Sequence, residues 1–172
     1  MNLRQTCKLQ ILLLSLGIAL LSGGCVNDDE PDIRSLVAVG DRLPQFEVVM
    51  NDGRTVATAD LAGSKAVVVL FTTSCSDCRN YLPVVESLHR ERPALPIICI
   101  ARSEDASALK AYWKANGLTL DYSPQTDAAV YSLFATGGVP RTYVSDASLT
   151  VIAEWDDSPV PTIGQLLDAT AE

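Results

Sequence analysis

The chain has 172 residues, 48% of them hydrophobic and 20% charged, with 21 acidic residues against 13 basic ones. That length fits one domain plus a short extra segment, with a core that needs no metal or disulfide staple. The acidic balance excludes nucleic acid as a partner, because phosphate backbones repel such a surface; no internal repeat or low-complexity segment is present.

Residues 1–24 read as a signal peptide. Arg4 and Lys8 form a positive start, and the apolar run 11–21 follows. That run is well short of the ~20 residues a membrane-spanning helix needs. Ser22, Gly23 and Gly24 then lead to Cys25, the layout of an export signal. A cysteine directly after small residues resembles a bacterial lipobox, which implies acylation of Cys25 and a tether to the bilayer through buried acyl chains. Ser22 stands where that box usually has an apolar residue, and a plain signal peptide with a free Cys25 is the alternative. Cleavage takes two of the basic residues and no acid, leaving a net charge of −10. Residues 25–35, acidic and without apolar period, read as a solvated tether, and 36–172 as the folded domain.

Within that domain, strand-like runs around Phe46–Met50 and Arg54–Ala57 flank Asn51-Asp52-Gly53, a turn signal that predicts a hairpin. Lys65–Phe71 is continuous, apolar and β-branched, as expected of a strand covered on both faces. A helix from Ser76 to about Arg90 follows, with Leu82, Val85 and Leu88 at helical spacing. Pro96–Ala101 is a second buried strand. Ser103 is the expected N-cap of the next helix, with Glu104 and Asp105 in its first turn, Leu109, Tyr112 and Trp113 inward, and Gly117 as the stop. Asp127–Phe134 is expected to be a short helix with Val130, Leu133 and Phe134 on one face. Arg141–Val144 and Leu149–Trp155 read as neighbouring strands, and Thr162 with Gln165 as the capping box of a last helix. Strands joined through helices, then a late hairpin, predict an α/β sandwich with a mixed sheet.

The chemistry concentrates in Phe71–Pro83. Cys75 falls at a helix N-terminus, where unpaired N–H groups and the dipole favour a thiolate. Cys78, one turn further in and on the same face, can reach it and is better shielded. That asymmetry suits an outer attacking sulfur and an inner resolving one. Zinc also uses C-x-x-C, but normally needs four ligands. Only Cys99, in an apolar strand, and His89, on the helix, remain as candidates, so no metal is expected. A structural staple is a poor explanation too, since so short a loop removes only about 2 kcal/mol of chain entropy.

Strand, C-x-x-C, helix and Pro83 five residues after the second cysteine together resemble the thioredoxin superfamily. Asp41…Pro44…Phe46, the run Asp60-Leu61-Ala62-Gly63 and the Val144-Ser145-Asp146 hairpin resemble its TlpA/ResA-like branch of exported, often membrane-tethered thiol–disulfide oxidoreductases. The resemblance covers about Val39 to the C-terminus. It implies a thioredoxin-like three-layer sandwich with an N-terminal β-hairpin extension, Cys75 as nucleophile and Cys78 as resolving thiol. Val139-Pro140 would be the cis-proline loop whose backbone meets a substrate chain, although composition alone favours trans for that bond. Ser74, Ser76, Asp77 and Pro83 are the expected supporting residues.

There are departures from the family pattern. Ser74 replaces the usual tryptophan, no acid lies in Val67–Leu70, and Tyr81 replaces the glutamate that ResA-like proteins carry. The group handling the Cys78 proton is therefore sought in Asp77, Glu86 or water. Asp77 beside Cys75 opposes the helix dipole, which predicts a reductant or mild exchanger rather than an oxidase. The partners expected are disulfide-containing exported clients, a membrane thiol donor and the bilayer, with no organic cofactor and a monomeric chain. Two alternatives stay open. Thr72…Cys75 gives the T-x-x-C of a peroxiredoxin, though Val68 stands where that family has proline. A redox-inert module that binds a partner or carries metal through Cys75 and Cys78 is the other.

Overall fold

The computed structural model describes residues 34–172. The expected signal peptide, Cys25 and most of the acidic tether lie outside them. Among the described residues no helix is long and apolar enough to cross a membrane.

Burial dictates the centre of the fold. All six residues of β3 (Ala66–Phe71) are fully buried, and at about 1.5–3 kcal/mol for each large apolar side chain no other strand has a stronger claim to the middle. β3 pairs in parallel with β4 (Ile97–Ala101) and antiparallel with β6 (Arg141–Ser145). The short β5 (Tyr122–Ser123) extends the sheet beyond β4, and β7 (Val151–Trp155) beyond β6. The order is β5-β4-β3-β6-β7, a mixed sheet. Ahead of it, β1 (Glu47–Val49) and β2 (Thr55–Ala57) form the predicted hairpin across Asn51-Asp52-Gly53, where Gly53 takes a positive φ of 88°.

Register assigns the layers. Val69 is directly paired with Cys99 and Thr142, so these three share a face of the sheet with Phe71. On that face Tyr81 of α1 (Ser76–Glu91) bonds Thr142, hydroxyl to hydroxyl, at 2.8 Å. Trp113 of α2 (Ala106–Asn116) packs on Phe71 at 5.3 Å between ring centres, and its indole N–H donates to Leu120 O. α3 (Ile163–Ala169) joins α1 through Arg92, which donates to Leu167 O. The opposite face carries Val68 and its partner Tyr143. There Phe134 packs at a tilt against Tyr143, 5.0 Å between ring centres, and against Phe46 at 6.0 Å. Leu36 N–H donates to Phe134 O, and Thr136 N–H to Arg34 O, stitching the N-terminal segment over this layer.

Two expected elements differ. Asp127–Phe134 is no helix: only a 3₁₀ turn, Tyr131–Leu133, forms. The Phe134 carbonyl goes to the N-terminal segment and Tyr131 Oη donates to Gly138 O, so the ends are pulled away from helical continuation. Leu133, expected inward, is 43% exposed. The N-cap of α2 is Asp105, not Ser103. Its carboxylate accepts the amides of Ser107 and Ala108, while Ser103 sits at a left-handed φ of 56° and donates its amide to Asp127 O. The last helix starts as expected, with Thr162 and Gln165 bonding each other's backbone N–H. Thr162→Ala should therefore lower stability by about 1 kcal/mol, read as a lower Tm with thiol reactivity unchanged.

Candidate active site

β3 ends at Phe71, the chain turns through Thr72–Ser74, and α1 begins at Ser76. Cys75 is its N-cap, in extended conformation, and its own amide donates to Thr72 O at 3.3 Å. The sulfur is half-buried and free. Its thiol donates to Val139 O at 3.4 Å. The Val139–Pro140 bond is cis, as the resemblance implies, and so is Ser158–Pro159, which nothing in the sequence singled out. Four predicted residues, Cys75, Cys78, Val139 and Pro140, thus meet where β3 ends and β6 begins.

Cys78 has no exposed surface. Burial pushes its thiol well above the ordinary cysteine range, the Thr72 N–H facing it opposes that rise, and Cys75 adds to it. The outer sulfur is accessible and the inner one is held protonated. Two sulfurs one helical turn apart in such unlike surroundings can exchange a bond only if the inner one is offered a way to lose its proton.

The supporting residues sit around this pair. Ser76 and Asp77 are exposed on the first turn of α1, with Asp77 the one acid there. Ser74 is exposed, its hydroxyl 3.0 Å from that of Thr72. Pro83 lies exposed on α1 and has no N–H for the Arg79 carbonyl; Ser87 Oγ donates to the Pro83 carbonyl. Arg79 donates one Nη to Thr73 O at 2.9 Å and to Ser74 O at 3.1 Å, so it braces the loop.

Glu86 is not the proton acceptor for Cys78. Its carboxylate accepts the Thr119 amide and hydroxyl, the Leu120 amide and Arg90 Nε, and its oxygens are taken. Burial pushes its carboxyl up, but these hydrogen bonds outweigh that and leave it below the ordinary glutamate value. Tyr81, in the place of the family's glutamate, is buried with its hydroxyl on Thr142 and its ionisation pushed up by burial. Cys99 is wholly buried and its thiol is likewise driven up. Among the described residues no group of three or more His, Cys, Asp or Glu side chains could hold a metal ion.

Sequence reasoning missed several residues that shape the site. Glu104 accepts the Thr73 amide at 2.8 Å and the Thr73 hydroxyl as well. Arg141, buried at the start of β6, donates Nε and an Nη to Gly137 O at 3.1 and 2.8 Å, and Tyr131 Oη donates to Gly138 O at 2.7 Å. Together they fix the loop ahead of Val139. Position at the carboxyl ends of β3 and β4, where open α/β sheets place their sites, was the available signal for Glu104. A concavity of about 480 Å³ lined by Lys65, Arg92 and Pro96 opens at the other end of those strands, away from both cysteines.

The Redoxin family model matches residues 38–162. The thiol-disulfide oxidoreductase ResA of Oceanobacillus iheyensis is 26% identical over 141 residues, covering 78% of this chain and 70% of that protein. Two solved structures share the fold. A thioredoxin-family thiol:disulfide interchange protein from Chlorobium tepidum superposes with a TM-score of 0.66 at 23% identity, covering 77% of this chain and 95% of its own. A secreted Mycobacterium tuberculosis disulfide oxidoreductase homologous to E. coli DsbE gives 0.66 at 20% identity, with 74% and 95% covered.

Proposed function

The chain belongs to the redoxin family as a thiol–disulfide oxidoreductase of thioredoxin-like fold, and on that premise we propose that it reduces or exchanges disulfides of exported client proteins outside the cytoplasm. The observation that supports this most is the Cys75 thiol at the start of α1, within 3.4 Å of the Val139 carbonyl and backed by a buried Cys78. An extended client segment lying along Val139 would take over that carbonyl and present its disulfide to the freed sulfur.

Cys75, as thiolate, attacks one sulfur of the client disulfide, and the other sulfur leaves and takes a proton from solvent. Cys78 loses its proton and attacks Cys75, forming the Cys75–Cys78 bond and releasing the second client thiol. Two electrons pass to the client and none of this needs an organic cofactor. The pair must then be re-reduced, which calls for a thiol donor in the membrane. Export is supported by the arrangement of residues 1–24, and anchoring by Cys25 after Ser22-Gly23-Gly24; the domain itself is taken to act as a monomer.

Asp77 sets the direction in this reading. Strong oxidants are those whose reduced form is stabilised, and the charge placed between these cysteines on the first turn is an acid rather than a cation. Equilibration with glutathione should give a potential far below the about −120 mV of strongly oxidising periplasmic oxidases. A value near that level would reverse the proposed direction, and failure of the reduced chain to reduce a model protein disulfide would end the proposal.

A further inference from the structure

We propose that Glu104 is a positioning residue for the cysteine pair, gripping Thr73 so that the loop Thr72–Ser74 leading into Cys75 keeps its place during resolution of the mixed disulfide by Cys78. This rests on the oxidoreductase reading above. The loop Thr72–Ser74 has no sheet partner past Phe71, yet two charged side chains hold it. Glu104 accepts the Thr73 amide at 2.8 Å and its hydroxyl. Arg79, from α1, donates to the carbonyls of Thr73 and Ser74. A carboxylate and a guanidinium thus clamp residue 73 by its N–H and its C=O, and charge-assisted hydrogen bonds are the strong ones.

Glu104 is itself held. Its amide donates to Gln125 O at 2.7 Å, the amide of Ser103 before it donates to Asp127 O at 3.0 Å, and Arg102 N–H donates to Phe71 O at 2.8 Å. The left-handed φ of Ser103 turns the chain between these anchors. An exposed acid in the first turn of a helix would need none of this. Here the residue lies ahead of α2, and its carboxylate is spent on the loop that carries Cys75.

The chemical need is at Cys78. In the resolving step Cys78 must surrender its proton to solvent, its sulfur then attacks Cys75 Sγ, and the bond from Cys75 to the client sulfur breaks, that sulfur leaving as a thiolate that takes up a proton from solvent. The groups that titrate or carry charge around it are Cys75 and Asp77 on its own helix and Tyr112 on α2, which also interacts with Arg79 and Glu104. Arg79 is committed to the Thr73 and Ser74 carbonyls and none of the others is a cation or a free base, while the Thr72 N–H favours the Cys78 thiolate.

The test uses the full chain, oxidised glutathione as probe, and rapid acid quench with mass spectrometry over roughly pH 6 to 10 to time release of the second glutathione. Glu104→Ala should slow resolution about tenfold and move its pH profile up by about one unit, while formation of the Cys75–glutathione adduct changes little. Glu104→Gln keeps a carbonyl acceptor for Thr73 and should restore the parent profile. A Glu104→Ala profile superimposable on the parent's, or a Glu104→Gln profile as displaced as that of alanine, overturns the inference. Should Glu104→Ala not fold, Thr73→Val, which removes the hydroxyl bond alone, should slow resolution about threefold; no slowing there overturns it too. A parent chain that never releases the second glutathione would instead remove the oxidoreductase reading.

Discussion

Cys75→Ser is expected to lower disulfide reduction by a factor on the order of 10³ or more, because in the proposed cycle Cys75 is the nucleophile on which every later bond change depends. Cys78→Ala is expected to do something different. Its Cys75 still attacks, but the sulfur that would break the mixed disulfide is gone, so client proteins accumulate covalently on Cys75. The asymmetry follows from exposure: Cys75 is half-buried and Cys78 has no accessible surface. The check is non-reducing electrophoresis with identification of the trapped partners. Equal activity loss with no adducts in Cys78→Ala would mean that Cys75 does not attack first.

Glu86→Ala is expected to lower stability by about 3 kcal/mol although it touches neither cysteine. It strips the acceptor from the Thr119 and Leu120 amides, the Thr119 hydroxyl and Arg90 at once. A buried amide left without an acceptor costs about 1–3 kcal/mol, and Leu120 is fully buried. Arg90 is well exposed and adds little. The pH dependence has a definite sign. The carboxyl titrates lower in the folded chain than its ordinary value of 4.5, so the unfolded chain takes up its proton first as pH falls. Its contribution is complete above that value and fades below it. Denaturant unfolding at neutral pH should show the full gap between parent and Glu86→Ala, and the gap should narrow as the pH falls below 4.5. A gap that stays constant with pH would mean that the carboxylate is not what matters there.

Local rules carried most of the fold. Six apolar residues in a row placed β3 at the centre, Asn51-Asp52-Gly53 placed the hairpin turn, and Thr162…Gln165 placed the start of α3. They failed where backbone groups had a better partner at long range. Val130, Leu133 and Phe134 have helical spacing, but the Phe134 carbonyl is claimed by the Leu36 amide, about a hundred residues away in sequence, and no local pattern encodes that. The position of Cys75 and Cys78 was legible because a strand followed by C-x-x-C and a helix is a local signal. The role of Glu104 was not. As an acid three residues after a strand it reads like any helix-opening residue, and only the tertiary meeting of two loops turns its carboxylate towards Thr73. Glu86 illustrates the reverse error: near the cysteines in sequence, it is committed to Thr119 and Leu120.

The stitching of the N-terminal segment has a mechanical corollary. Arg34 and Leu36 are bonded to Thr136 and Phe134, and Thr136 lies three residues before Val139. Tension on the chain ahead of Arg34 would therefore act first on the strip of backbone that leads to the Val139 carbonyl, the acceptor of the Cys75 thiol.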